Sequence, residues 1–248
     1  MKLKTTLRPL AVATTLAVSA MAVPTIASAD MSGNIGVYSK YILRGITNAP
    51  EQDSPAVQGG FDWSGESGLY AGYWGSTLGY ADAGKSNGFE NDLYGGYASK
   101  FGDFSYDVGV IYYKYMNISN ADAAEIKGRL GYGPVTAGFN YLTKDVAWGN
   151  KGDVYWTLAY STDLPKGFSF GATAGYYTYK KTGKYETVTP LNTTKSGAFR
   201  DLDLSLSHPI GSTGADMTLT YIVAGKLRDG TNLKNGVTLG ISYGFDIK

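Results

Sequence analysis

A single histidine, His208, and no cysteine occur among 248 residues. Thiol nucleophiles, thiolate zinc sites, iron–sulfur clusters and multi-histidine metal centres are thereby excluded, and the sequence calls for no metal or cofactor. The one imidazole chemistry left is a Ser–His pair, in which the ring takes the serine proton. The charged residues are more informative. Glu125, Lys127 and Arg129 are spaced two apart, as are Asp201 and Asp203, and residues i and i+2 share a face only in a strand. Lys40, Arg44, Asp62, Asp92 and Asp107 fall in phase with similar polar faces. Charges of both signs on strand faces point to electrostatic selection of a passing solute rather than to proton transfer.

The elements that position these residues follow from period-two alternation. In the last segment Val237, Leu239, Ile241, Tyr243 and Phe245 alternate with Gly236, Thr238, Gly240, Ser242 and Gly244. The same rule sets Phe104, Tyr106, Val108, Val110 and Tyr112 against Ser105, Asp107 and Gly109, and Leu202, Leu204 and Leu206 against Asp201, Asp203 and Ser205. Twelve strands are predicted, over 33–46, 55–63, 68–79, 89–100, 104–115, 123–132, 135–143, 153–161, 168–179, 198–208, 215–223 and 235–246. No apolar run after Ala29 reaches the roughly 20 residues of a spanning helix.

The connections alternate strictly between long and short. Thr47 to Ser54, Tyr80 to Gly88, Met116 to Asp122, Lys144 to Gly152, Lys180 to Gly197 and Ala224 to Lys234 are long and polar; the links between them are short. An even number of antiparallel strands with this loop asymmetry is the pattern of an up-and-down transmembrane β-barrel, all-β, with both termini on the short-turn side. A soluble barrel or sandwich also alternates, so the aromatics decide. Trp63, Phe104, Tyr132, Phe168, Tyr243 and Phe245 lie on the apolar face near the short turns, and Tyr112, Tyr141, Tyr176 and Tyr221 lie on it near the long loops. Two girdles of this kind fit the two interfaces of a bilayer. They also account for much of the unusual content of 21 Tyr, while many of the 34 Gly supply the small inner face.

Residues 1–29 are expected to be a cleaved export signal. Lys2, Lys4 and Arg8 precede an apolar stretch from Leu10 to Val23, and Ala27-Ser28-Ala29 is a small-x-small site, so cleavage falls between Ala29 and Asp30. Residues 30–248 then form one barrel domain. Without its three basic signal residues the chain keeps 19 of its 22 Lys and Arg against 21 Asp and Glu, a net charge of −2, which argues against a nucleic-acid partner. Export together with membrane-spanning strands implies the outer membrane of a Gram-negative bacterium, with outer-membrane lipid and the barrel-assembly machinery as partners. Many such barrels end in an aromatic residue that this machinery reads, whereas here Phe245 is followed by Asp246, Ile247 and Lys248.

Three stretches carry a family resemblance: Val37-Tyr38-Ser39-Lys40-Tyr41-Ile42-Leu43-Arg44-Gly45-Ile46, Pro55-Ala56-Val57-Gln58-Gly59-Gly60-Phe61-Asp62, and Ser67-Gly68-Leu69-Tyr70-Ala71-Gly72-Tyr73-Trp74-Gly75-Ser76. Leu93-Tyr94-Gly95-Gly96-Tyr97 continues the match. Together they resemble the TorF family of porins, over roughly the first third of the chain beyond its signal; the rest agrees in pattern and length. The resemblance implies an outer-membrane barrel through which small hydrophilic solutes or ions diffuse passively. Twelve strands lie between barrels filled by side chains and barrels with a wide channel. The ten inward charges named above are the pore-lining candidates, and Tyr70, Trp74, Tyr94 and Tyr113 are the bulky residues expected to constrict the lumen. The long Lys180 to Gly197 link, rich in lysine, is a candidate to fold into the mouth. The alternative is a non-conducting structural or adhesive barrel. A third reading, an outer-membrane hydrolase, is disfavoured because His208 lies beside a short turn, at the end opposite the long loops where such enzymes place their chemistry.

Overall fold

The computed structural model describes residues 30–47, 54–187 and 191–247. The expected export signal, including Ala29, lies outside the described residues. Asp30 is the first residue of the first strand.

Twelve strands form a closed antiparallel barrel in which each pairs with its chain neighbours and the first closes on the last. They are β1 (Asp30–Tyr38), β2 (Ala56–Ser64), β3 (Leu69–Thr77), β4 (Phe89–Phe101), β5 (Phe104–Met116), β6 (Ala123–Tyr132), β7 (Val135–Leu142), β8 (Val154–Asp163), β9 (Ser169–Thr178), β10 (Gly197–Pro209), β11 (Ala215–Ala224) and β12 (Gly236–Ile247). Eleven of them match their predicted spans to within about two residues. Closure leaves no unpaired edge, the condition a strand structure must meet in hydrocarbon. Among the described residues no helix is long and apolar enough to cross a membrane.

The outer surface is apolar. Ile35, Val57, Leu93, Val108, Leu158 and Leu239 are all exposed, as are the girdle residues Trp63, Phe104, Tyr132, Tyr176 and Tyr221. At the short-turn end, Phe104 packs on Tyr132 with ring centroids 4.9 Å apart, and Tyr243 stacks on Phe245 at 6.1 Å. An apolar belt this extensive would be a liability in water. A bilayer is the solvent that suits it. Buried polar side chains, including Glu90, Asp92, Glu125, Asp201 and Thr220, lie on the opposite face, so the interior is polar and the exterior oily.

One predicted strand is corrected. The reading of 33–46 as strand one placed Lys40 and Arg44 on a strand face, but β1 ends at Tyr38. Beyond it the alternation fails, because Tyr41 and Ile42 are both buried although adjacent. Arg44 and Gly45 then take left-handed backbone angles, φ 48° and 69°, which no strand accommodates. The Thr238 hydroxyl donates to the Lys40 carbonyl at 3.2 Å as the chain leaves the sheet. Residues 39–47 therefore form a strap that turns into the barrel rather than a continuation of its wall.

Candidate functional site

The strap crosses the lumen, and Arg44 is its anchor. The Arg44 guanidinium meets Glu125 of β6 with both ends, Nη1 to Oε1 at 2.9 Å and Nη2 to Oε2 at 2.7 Å. This fork-to-fork pairing fixes orientation as well as distance. Nη1 also donates to the Tyr177 hydroxyl of β9 at 2.7 Å, and the guanidinium lies 4.8 Å from the ring centroid of Tyr155 on β8. On the other side, a Cβ on Gly45 would meet the Asp201 Cβ at 2.5 Å and the Arg200 carbonyl at 3.0 Å, so only glycine lets the strap lie this close to β10. Tyr41 donates to Glu90 of β4 at 2.7 Å, and its ring packs 6.3 Å from Trp74. The strap is thus tied to β4, β6, β8, β9 and β10.

Glu125 is the hub of this layer. Besides Arg44 it accepts from the Tyr113 hydroxyl and the Asn140 amide, each at 2.8 Å. Arg129 supports Asn140 through its Oδ1 at 2.6 Å and donates to the Phe139 carbonyl at 2.6 Å. A buried carboxylate with this many donors has its desolvation offset, whereas one stripped of them would not.

A second layer lies nearer the short turns. Lys127 pairs with Asp107 at 3.3 Å, and Asp107 accepts from Tyr70 at 2.6 Å. Tyr94 donates to Asp62 at 2.5 Å, and the Lys127 ammonium sits 5.0 Å from the Tyr70 ring centroid. All these side chains come from β2 to β6. The walls from β8 to β12 differ: below the strap they carry mainly Ser, Thr and Gly. Ser205 and Thr220 share a hydrogen bond at 2.9 Å, and Ser207 and Thr218 one at 2.8 Å. Gly171 and Thr173 lie on the same inner face.

Of the ten charged candidates, Asp62, Asp92, Asp107, Glu125, Lys127, Arg129, Asp201 and Asp203 face the lumen from strands, Arg44 reaches it from the strap, and half-buried Lys40 sits where the strap begins. Tyr70, Trp74, Tyr94 and Tyr113 all lie inside. Asp201 accepts from Tyr155 at 2.9 and 3.1 Å. Both carboxylate oxygens of Asp92 and one of Asp203 are buried without a hydrogen-bond partner.

Glu90, Tyr41, Tyr155, Tyr177 and Arg200 were not among the candidates. Glu90 carried a usable signal, since it precedes Asp92 by two. Arg200 carried a misleading one: counting back by twos from Leu202 puts it on the outer face, yet a bulge between Phe199 and Asp201 turns it inward, and it is 5% exposed.

Over the long-loop rim, Arg228 pairs with Asp153 and, at 3.3 Å, with Glu186, and donates to the Thr193 hydroxyl at 2.9 Å. Burial alone would raise the Glu186 carboxyl, but bonds from the Thr193 hydroxyl and amide, from Asn150 and from Arg228 hold it below the usual carboxylate range. The lysine-rich connection expected to enter the mouth is thus clamped to its neighbours through Glu186, and the segment that enters the barrel is the strap after β1.

His208 closes β10 at the short-turn end. Its Nδ1 lies 2.7 Å from the Pro209 carbonyl, its Nε2 lies 3.2 Å from the Lys166 carbonyl, and its ring packs 4.4 Å from Phe168. Both ring nitrogens face main-chain oxygens, and the outer phase of the residue turns it away from the lumen.

The chain belongs to the family described as "Bacterial protein of unknown function (Gcw_chp)", whose model matches residues 23–242. No curated protein matches it. Among solved structures it is similar to the KdgM porin, at 10% identity over 86% of this chain and 99% of that one, with a TM-score of 0.56. The KdgM porin in complex with disordered oligogalacturonate gives the same identity and coverage with a TM-score of 0.53. OprD, an outer-membrane protein from Pseudomonas aeruginosa, is 10% identical over 88% of this chain and 66% of its own, with a TM-score of 0.42.

Proposed function

We propose that this Gcw_chp member is an outer-membrane porin of a Gram-negative bacterium, a barrel of residues 30–248 exported by a signal at 1–29 and inserted by the barrel-assembly machinery. It passes small hydrophilic solutes or ions by passive diffusion. The observation that carries the reading is the inversion of the barrel: apolar side chains outside and a charged and hydroxyl-lined interior, crossed by a strap that narrows it without occupying every wall. The resemblance to the TorF porins and the likeness of fold to KdgM support it. The polar inner face favours water and polar solutes over lipid, and its inward charges tune which ions enter. The side chains act here by shape and charge; no covalent step is assigned to them.

Refolded chain in liposomes tests this directly. Swelling is expected with small neutral sugars and is expected to fall off steeply with sugar size; conductance no greater than that of protein-free bilayers overturns the reading. One observation favours a second reading, a structural barrel that does not conduct: the strap and the Tyr70–Asp107–Lys127 layer already fill one side of the lumen. On that reading, sugars stay excluded until the strap is released by Arg44→Ala.

A further inference from the structure

We propose that Arg200 forms an oxyanion subsite on the long-loop side of the strap, where the carboxylate or phosphate group of an incoming solute is held before passage. The inference rests on the porin reading of the lumen.

Three observations carry it. The bulge in β10 inserts one residue opposite β9 and thereby turns both Arg200 and Asp201 inward, where strict alternation would send one of them to lipid. Bulges are over-represented at the rims of barrels and next to active sites, where they re-aim a side chain. Once inside, the guanidinium is held in place: Nη2 donates to the Tyr179 hydroxyl at 2.8 Å, and Cζ lies 4.8 Å from the Tyr177 ring centroid. Tyr177 and Tyr179 are themselves stacked, 5.0 Å apart and 9° from parallel. Its remaining donors are unused, since Nε and Nη1 are buried without a hydrogen-bond partner.

The neighbouring arginines show what is missing. Arg44 has Glu125, and Arg228 has Asp153 and Glu186. Arg200 forms no ion pair among the described residues, and the adjacent Asp201 carboxylate is engaged by Tyr155. A buried guanidinium with three unused N–H groups is costly. Asp201 and Asp229 act on the guanidinium only through space and leave its donors unmet; an oxyanion meets the donors and the charge in direct contact. The aromatic wall then fixes the plane in which a flat or tetrahedral anion is met.

Chain refolded in detergent micelles is titrated with ¹³C-acetate and, separately, with inorganic phosphate, and binding is read from saturable broadening of the ligand signals. Saturable binding is expected in at least one arm, and the stronger arm identifies the class of anion. Arg200→Gln is expected to weaken it about tenfold or more, the loss of a charge-assisted bond. Arg200→Lys is expected to fall between the two, and Lys100→Gln at the opposite rim to bind as the parent does. Circular dichroism of each variant verifies that the barrel has formed; if Arg200→Gln does not fold, Tyr179→Phe, which frees the guanidinium, replaces it and is expected to shift affinity measurably. No saturable binding by the parent, or unchanged binding in the folded variants, overturns the subsite. Liposome swelling with a neutral sugar on the same preparation keeps the readings apart: swelling without anion binding sinks only the subsite, and binding without swelling sinks only the porin.

Discussion

Gly109 and Gly171, on opposite sides of the lumen, have opposite surroundings. A Cβ on Gly109 of β5 would lie 2.5 Å from the Tyr70 hydroxyl and 3.1 Å from Lys127 Cε, whereas one on Gly171 of β9 would meet nothing nearer than the Ser205 Cβ at 3.9 Å. On the β2–β7 side, glycine makes room for a side chain that lies across it: Tyr94 over Gly72, Tyr70 over Gly96, Arg129 over Gly138. On the β8–β12 side below the strap, Gly171 keeps a wall low and leaves space. The same residue type therefore does opposite work, but the open space is local to Gly171, since Gly175 and Gly240 on that side are overlain by Tyr155 and Tyr38. One half of the lumen is a scaffold of paired charges and tyrosines that braces the strap, and the other keeps free cross-section below the strap, beside Gly171.

The brace should break hardest at its hub. Arg44→Ala leaves Glu125 buried with its principal countercharge gone, and removing one partner of a buried pair costs about 3–5 kcal/mol. Urea unfolding in micelles is expected to show a loss of that order. Conductance is expected to rise as the strap loosens. The double variant Arg44→Met with Glu125→Leu should recover part of the lost stability, because no charge is left stranded. Equal stability of parent and Arg44→Ala would remove the distinction between the two halves.

A smaller effect is expected one layer down. Lys127→Met removes the ion pair to Asp107, but the Tyr70 hydroxyl still donates to that carboxylate. The expected cost is about 1.5–3 kcal/mol, the range for hydrogen bonds to charged groups. In planar bilayers the variant is expected to shift preference toward cations, as a lumen cation is lost while Asp62 and Asp107 remain. An unaltered preference argues that ions never reach this layer.

Much of this architecture was legible because period two is a local property. Glu125, Lys127 and Arg129 announce a strand face by spacing alone, and the run of long and short links orders the barrel. What resisted reading is non-local or aperiodic. Arg44 and Glu125 are 81 positions apart, and nothing near either residue names the other. The strap has no period at all, so Lys40 and Arg44 read as a strand continuing past Tyr38. Arg200 misleads because a single inserted residue inverts the phase on which every face assignment depends. The resemblance to a porin family implied an outer-membrane barrel but carried no information on which half of the lumen is filled.

The free half should be tolerant energetically and intolerant sterically. Ser205→Ala breaks a neutral hydroxyl bond to Thr220 and is expected to cost only about 0.5–1.5 kcal/mol. Gly171→Trp, by contrast, is expected to leave the barrel folded and to reduce both conductance and sugar swelling, because its side chain enters open space. Unfolding curves set beside single-channel currents separate the two effects. A Gly171→Trp channel that conducts as the parent does would put the passage elsewhere.

The smallest effect concerns the rim, where acid should loosen what Arg228 holds together. The Glu186 carboxyl is depressed in the folded chain, so its contribution to the clamp is fully present above its unfolded value of about 4.3 and fades as pH falls through the lower folded value. The pairing with Arg228 and the bonds from Thr193 and Asn150 are then weakened, while Arg228 keeps its charge. Hydrogen exchange of the Thr193 amide, which donates to Glu186, is expected to be slow at pH 6 and measurably faster, after correction for intrinsic rates, below pH about 4. The Glu125 layer should change less over the same interval, because it lies beneath the strap and away from bulk water. Glu186→Gln should reproduce the acid state at pH 6, since the amide keeps an acceptor but loses the charge facing Arg228. If exchange at the rim is independent of pH in the parent chain, the clamp is held by main-chain packing and its ion pairs contribute nothing measurable.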